Sequence, residues 1–456
     1  MRTRLVRFAL ALLVASLGCL FGCPPKHVAE PAVAPEYDAA LPPGKLALRK
    51  ITNPAEIPDF TAACGNPGGL AKSIDYSIEY MLKPSSPRFF PYGEITHKQA
   101  LDSLRAFRAM LDQNMPAPAF NAAIREKFDV YVSVGYDNRG SVLFTGYYTP
   151  IFNASPVRTE KFRYPLYKAP ADLKRGPEGT IVGRVGADGQ ISKYPSRMEI
   201  ERSNMLAGNE LFWLADPFEV YIAHVQGSAQ LRMSDGSMVI VGYTANNGHD
   251  YTSVGRILQA EGKLPKTGLS LQAMIAYFHA HPDQVQQYTW RNPRYVFFSV
   301  TEGMPRGSLN EPVTPWRTIA TDKSVFPRAC LAFVDASFPR PTASGVQMLP
   351  YRSFLLDQDT GGAIRAAGRA DVYVGIGDKA GELAGRAGED SKGKLYYLFL
   401  KPGQATPPDL PPVHSPMAPA PASPGVEGGR GPAAAPATPT SNAPAELKEE
   451  TRTLPG

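Results

Sequence analysis

Apolar residues recur at helical spacing in the first part of the chain and at strand spacing later, and the change falls near residue 130. Ile74, Ile78, Met81 and Leu82 share one helical face, with Ser73 as the expected cap. A second helix is predicted from Thr96. Thr96 and Gln99 have capping-box spacing, and Leu101, Leu104, Phe107 and Leu111 follow at helical intervals. Residues 119–128 form a shorter third candidate. β-rich runs then follow at 130–134, 142–148, 220–226 and 238–243, the last entered through the tight turn Asp235-Gly236. Helical spacing returns at 254–260 and 271–279. A final β section covers 294–300, 317–320, 331–334, 353–356, 371–376 and 395–400. Many short strands with Gly and Pro turns predict β-barrel architecture, and no repeat of 20–50 residues interrupts them.

The two ends differ from this body. Arg2, Arg4 and Arg7 precede a short apolar stretch at 8–17, the layout of a targeting segment over residues 1–22. It ends in Leu20-Phe21-Gly22-Cys23, which resembles a bacterial lipoprotein signal with Cys23 as the lipidated residue. Cys19 fits less well because Ser16 stands where a Leu is expected. Pro24 and Pro25 replace the Asp of inner-membrane retention, so the expected location is the outer membrane, facing the periplasm. The Pro-rich stretch 23–45 is expected to be a flexible tether. Residues 403–456, rich in Pro and Ala, are expected to be a disordered tail.

Residues 1–22 hold three arginines and no acids, so their removal lowers the formal charge from +6 to +3. A weakly basic body suits an anionic wall polymer, and without a Lys/Arg block it gives no sign of nucleic-acid binding. Cys64 and Cys330 could pair in an oxidising compartment or stay as buried thiols. No C-x-x-C occurs, and the imidazoles of His279 and His281 point to different helix faces. No metal or other cofactor is therefore expected.

The strongest chemical signal lies between Asp357 and Asp378. Asp359 precedes a Gly-Gly turn, and Asp371 opens the apolar run Val372-Tyr373-Val374-Gly375-Ile376. A carboxyl among β-formers and glycines is partly desolvated, the setting in which an Asp keeps its proton and acts as a general acid. The same residues would also serve as ordinary Asx turns. Gly375-Ile376-Gly377 lacks the third glycine of a dinucleotide loop, and Gln226-Gly227-Ser228-Ala229 is not a nucleophile elbow. Around the aspartates stand segments rich in Tyr, Gln, Asn, Ser and Thr: 144–150, 195–200, 225–229, 242–251 and 320–327. Flat aromatic faces with neutral donors and acceptors suit a carbohydrate groove.

Taken together, F-T-G-Y-Y-T-P (144–150), P-S-R-M-E-I (195–200), Q-G-S (226–228) and N-G-H-D-Y (247–251) resemble segments in or beside the specific insert of the membrane-bound lytic murein transglycosylase A family. Asp322, the run from Asp359 to Ile364, and Asp371-Val372-Tyr373 resemble its three-aspartate domain. The resemblance runs in order from Tyr131 to Lys401. It implies a mainly β fold with flanking helices: a double-psi β-barrel domain (46–150 with 302–402) interrupted by a smaller β-domain (151–301), with a groove between them.

The resemblance also implies cleavage of the β-1,4 bond between N-acetylmuramic acid and N-acetylglucosamine in peptidoglycan, leaving a 1,6-anhydro end. Asp371 would be the single acid and base, Asp359 its tuner and Asp322 a structural residue in an Asx turn. Thr145, Tyr147, Ser196, Gln226 and Ser228 would contact the glycan. Peptidoglycan strands are the implied partner, with cell-wall synthesis or division proteins as further candidates. Two other readings stand beside this one: a β-glycan hydrolase using Asp371 and Asp359, and a wall-binding lipoprotein without enzymatic activity.

Overall fold

The computed structural model describes residues 36–404 apart from 177–179, 266–268 and 389; Cys23, the targeting segment and the tail lie outside the described residues. The chain enters on a short strand, β1 (Leu48–Lys50), passes through a single helical turn at Thr61–Cys64, and then forms three longer helices: α1 (Leu70–Met81), α2 (His97–Asp112) and α3 (Ala117–Lys127). Helix α1 buries Leu70, Ile74, Ile78 and Met81. It begins at Gly69, which has φ 74°, and not at the expected cap Ser73. Ser73 instead points into the body, where its hydroxyl lies 3.2 Å from Gln358 Oε1. Thr96 does cap α2, accepting from the Gln99 amide at 3.1 Å. The Gln99 side chain does not close the box, because it donates to the Leu400 carbonyl.

Strands β2 (Phe128–Ser133) and β3 (Val142–Thr149) follow. The chain then builds a second sheet from β4 (Ile151–Ser155), β5 (Tyr164–Tyr167), β9 (Glu210–Leu214), β10 (Ser228–Arg232), β11 (Met238–Asn246) and β12 (Val296–Thr301). A separate three-stranded sheet of β6 (Leu173–Arg175), β7 (Ile181–Val185) and β8 (Ile191–Ser192) lies within the same stretch. Helices α4 (Arg197–Arg202), α5 (Pro217–Gln226), α6 (Val254–Ala260) and α7 (Leu271–Ala280), with a short helix at Val285–Thr289, complete it.

Residues 220–226, expected as a strand, belong to α5. Asp216 caps it by accepting from Phe218 N at 2.6 Å, Pro217 fills the first turn, and Gly227 ends it at φ 74°. Phe218, Val220, Tyr221, Ile222 and Ala223 are all buried, so the helix is apolar on most sides and its 3.6-residue period is hidden.

The chain returns with β13 (Thr318–Ala320), the long hairpin β14 (Leu331–Thr342) and β15 (Gly345–Asp359), then β16 (Arg369–Ile376), helix α8 (Asp378–Arg386) and β17 (Lys392–Leu400). These strands pair in the order β2-β17-β14-β15-β13-β16-β3, and β3 pairs back onto β17. A six-stranded ring β17-β14-β15-β13-β16-β3 therefore closes, and closure removes its free edges. Two pairs within the ring, β13–β15 and β16–β3, are parallel. Helices α1 to α3 pack onto the ring in one core with Phe60, Phe107, Phe128, Phe333 and Phe354. The fold is mixed α/β with a closed six-stranded barrel. Cys64 and Cys330 are free and buried, and burial pushes the Cys64 thiol up to about 12.

Ring closure depends on Gly393, which pairs with Val142 on one side and Ala336 on the other. A Cβ there would lie 2.2 Å from the Asp335 carbonyl oxygen. The expected effect of Gly393→Ala is a loss of about 1–3 kcal/mol through forced separation of β17 from β14. Urea unfolding checks this, and an unchanged midpoint would count against closure at this pair.

Candidate active site

The three-residue strand β13 lies between β15 and β16, and its last residue, Ala320, pairs with both Asp359 and Asp371. Two aspartates twelve positions apart are thereby set on either side of one alanine. On the far side of β16, Asp371 pairs with Thr145 of β3. The row Asp359–Ala320–Asp371–Thr145 runs across four adjacent strands.

Asp359 reaches this row because of a bulge. Ile319 pairs with Asp357 and Ala320 with Asp359, which leaves Gln358 as the extra residue. The Gln358 side chain is fully buried and fully satisfied. Its Nε2 donates to Ser73 O (2.8 Å) and lies 3.1 Å from Ser77 Oγ, and its Oε1 accepts from Thr318 Oγ1 (2.6 Å) and Ser73 Oγ. Asp357, also fully buried, pairs with Lys323 and accepts from Thr321 Oγ1 (2.7 Å) and Tyr397 OH (2.6 Å).

The two row carboxylates have opposite surroundings. Asp359 Oδ1 accepts from the backbone N–H groups of Ser308 and Thr360, both at 2.8 Å, and its Oδ2 accepts from Tyr147 OH at 2.9 Å. β3 and β15 stand opposite each other in the six-stranded ring, so the Tyr147 bond crosses it. Asp371 is half-buried, and its Oδ1 is sealed from solvent with no hydrogen-bond partner among the described residues. Burial pushes the Asp371 carboxyl up to about 6, against the pull of Arg369 and with the help of the Asp359 and Asp38 charges. Burial also raises the Asp359 carboxyl, while its three donors oppose that. Burial and the Asp359 charge hold the Tyr147 hydroxyl well above its ordinary range, so it stays a donor.

The other expected site residues fall into three groups. Thr145 belongs to the row, with Oγ1 buried and unpartnered among the described residues. Gln226 and Ser228 sit where the 151–301 stretch meets β3. Gln226 Oε1 accepts from Tyr148 N at 3.2 Å, and Ser228 Oγ lies 3.1 Å from Thr149 Oγ1, itself 3.0 Å from Tyr373 OH. Ser196 is spent elsewhere: it caps α4 in a box with Glu199, and no hydrogen bond joins it to the aspartates among the described residues. Asp322 closes an Asx turn onto Ser324 (2.9 Å) and accepts from Ala366 N (2.8 Å), anchoring the loop that leads to Asp371.

Sequence reasoning missed Tyr373, whose ring lies 5.1 Å from that of Tyr147, together with Gln358, Lys323 and Arg369. The alternation of β16 puts Arg369 and Tyr373 on the same face as Asp371 and could have flagged both. Nothing local signals the Gln358 bulge.

The sequence and the fold have counterparts in known proteins. Residues 143–299 match the family model of the MltA specific insert domain, and residues 317–398 that of the 3D domain, together more than half of the chain. Membrane-bound lytic murein transglycosylase A of Escherichia coli (strain K12) is 28% identical over 361 residues, covering 78% of this chain and 88% of that protein. The crystal structure of a membrane-bound lytic murein transglycosylase from Agrobacterium tumefaciens superposes with a TM-score of 0.65 at 24% identity, covering 78% of this chain and 98% of that one. The structure of E. coli MltA with bound chitohexaose gives 0.60 at 24% identity, over 80% and 98% of the two chains. The chain belongs to the membrane-bound lytic murein transglycosylase A family.

The raised Asp371 carboxyl has a consequence for stability. The folded state holds its proton up to about pH 6, the unfolded state only to about the ordinary 3.8. Folding stability therefore falls as pH rises through that window, and the full cost is present above pH 6. Asp371→Asn removes the cost. It is expected to stabilise the protein by about 1–2 kcal/mol at pH 7.5, after discounting for partial exposure, and by almost nothing at pH 4. Thermal unfolding at the two pH values checks this; equal effects at both would contradict the buried-acid description.

Proposed function

We propose that this protein is a lytic murein transglycosylase that cuts the MurNAc–GlcNAc β-1,4 bond of peptidoglycan, with Asp371 as its single general acid and base. Family membership supports the broader statement, a lytic murein transglycosylase acting on peptidoglycan. The chitohexaose held by the E. coli MltA structure supports a glycan ligand. The contrast between the two carboxylates carries the finer reading. Asp359 has both oxygens occupied by three donors, whereas Asp371 Oδ1 is dry and unpartnered among the described residues.

A hydrolase needs a second carboxylate free to act as nucleophile or to activate water. Asp359 is too fully engaged for that. The chemistry therefore runs on one group. Protonated Asp371 gives its proton to the glycosidic oxygen as the bond to C1 breaks. The resulting carboxylate takes the proton of the muramoyl C6 hydroxyl, whose oxygen bonds to C1 and closes the 1,6-anhydro ring. Asp371 ends protonated, and no water is consumed. Asp359, as an anion fixed by Tyr147, raises the proton affinity of Asp371. Thr145 Oγ1, Tyr147 and the Gln226 amide are the proposed sugar contacts.

We assign 46–150 with 302–402 to the catalytic domain and 151–301 to the insert, and the two parallel pairs of the ring support a double-psi barrel. We also assign the protein to the outer membrane through a lipid on Cys23. No helix among the described residues is long and apolar enough to cross a membrane.

Three measurements test these assignments. On purified sacculi, Asp371→Asn is expected to lower kcat at least ~100-fold and Tyr147→Phe about 10-fold, with glycan binding retained. Wild-type kcat/KM is expected to fall above about pH 6, where the acid loses its proton. An active Asp371→Asn enzyme would end the assignment of Asp371. For the anchor, Cys23→Ser is expected to move the protein from the membrane fraction to the soluble periplasmic fraction; unchanged fractionation would reject Cys23.

A further inference from the structure

Arg369 stands two residues before Asp371 on β16, so the two side chains leave the same face of the strand. A guanidinium there would ordinarily pair with the aspartate, fix it as an anion and remove its value as an acid. It is otherwise engaged. Arg369 Nη1 lies 3.5 Å from Asp38 Oδ1, and Asp38 Oδ2 accepts from Arg256 Nη2 of helix α6 at 3.1 Å. Asp38 thus links a strand of the catalytic barrel to the insert, from a segment far away in sequence.

The seat of that segment is built, not incidental. Tyr37 is buried and meets Tyr136 edge-on at 4.7 Å, with Lys392 Nζ 5.6 Å from its ring centroid. Gly368, directly before Arg369, leaves the room: a Cβ there would lie 2.7 Å from the Tyr37 carbonyl oxygen and 2.5 Å from Tyr136 Cβ.

We propose that Asp38 is a positioning residue for the catalytic acid: by engaging Arg369 in an ion pair shared with Arg256, it keeps that guanidinium from neutralising Asp371 while strapping the insert to the barrel. The inference rests on the reading of Asp371 as acid and base. The charged and titratable groups around Asp371 are Arg369 on its own strand, Asp38 from the N-terminal segment, Asp359 from β15 and Tyr147 from β3. Lys323 acts on Asp359, and Tyr251 and Arg256 of the insert face the Asp38–Arg369 pair. Removing the Asp38 charge acts in one direction only. It deletes a negative charge near Asp371 and frees a positive one, and both lower its proton affinity.

The test compares kcat/KM against pH on sacculi with the carbon-13 carboxyl titration of Asp371, assigned by its loss in Asp371→Asn. Asp38→Asn is expected to move both the alkaline limb and the titration downward by about 0.5–1 pH unit. Asp38→Glu is expected to restore them, and Arg369→Gln to move them upward. The double variant Asp38→Asn/Arg369→Gln is expected to lie no lower than wild type, because the freed cation is gone. If Asp38→Asn does not fold, Arg369→Gln reads the same coupling from the other side. An Asp371 titration unmoved by Asp38→Asn, or by Arg369→Gln, overturns the proposal and leaves Asp38 a structural strap only. A titration that moves as stated while turnover ignores it would keep the ion-pair device and reject Asp371 as the acid.

Discussion

One buried amide sets the geometry on which the site depends. Gln358 is the extra residue of the bulge in β15, and a bulge at this depth persists only if its polar atoms are satisfied. Helix α1 supplies Ser73 and Ser77, and β13 supplies Thr318, so every hydrogen-bonding need of the Gln358 side chain is met without water. The bulge lets Asp357 turn into the core toward Lys323 while Asp359, two residues on, arrives beside Ala320. Without it, the register would bring Gln358 beside Ala320 and carry Asp359 past the row. The helical part of the chain, which carries no chemistry itself, thus positions the chemistry.

The two aspartates differ in how many donors each can reach. Asp359 lies at a loop junction where two backbone N–H groups converge, and the narrow ring brings a tyrosine hydroxyl to it from the opposite strand. Asp371 lies mid-strand, where neighbouring backbone groups are committed to the ladders with β13 and β3, so none is spare for its carboxyl. Ladder pairing therefore leaves Asp371 Oδ1 without a donor among the described residues, the arrangement that the proposed proton-carrying role needs. The same face of β16 also carries Arg369, whose Nη1 lies 3.5 Å from Asp38 Oδ1.

Much of this was legible in the chain. The spacing of Leu101, Leu104 and Phe107 gave α2, and the apolar run after Asp371 marked β16 and a desolvated acid. The motifs of residues 144–150 and 359–373 pointed to the family. What stayed hidden shares a physical cause: it depends on contacts distant in sequence or on segments too short to carry a period. β13 has three residues. The all-round apolar surface of α5 reads as a strand once β-branched residues outweigh its capping signals, Asp216, Pro217 and Gly227. Ser196 sits in a motif with Glu199, and only the structure shows that the pair caps a helix. Tyr147 looked like a sugar platform, and its hydroxyl proved to be committed across the barrel to Asp359.

In the proposed mechanism one carboxyl does the work of two because the nucleophile belongs to the substrate. Digesting purified peptidoglycan in water enriched in heavy oxygen, followed by mass analysis of the released sugar termini, tests it most directly. The expected products are 1,6-anhydro ends carrying none of the heavy oxygen. Reducing ends that carry it would mean that water attacks C1, and the single-acid mechanism would be wrong.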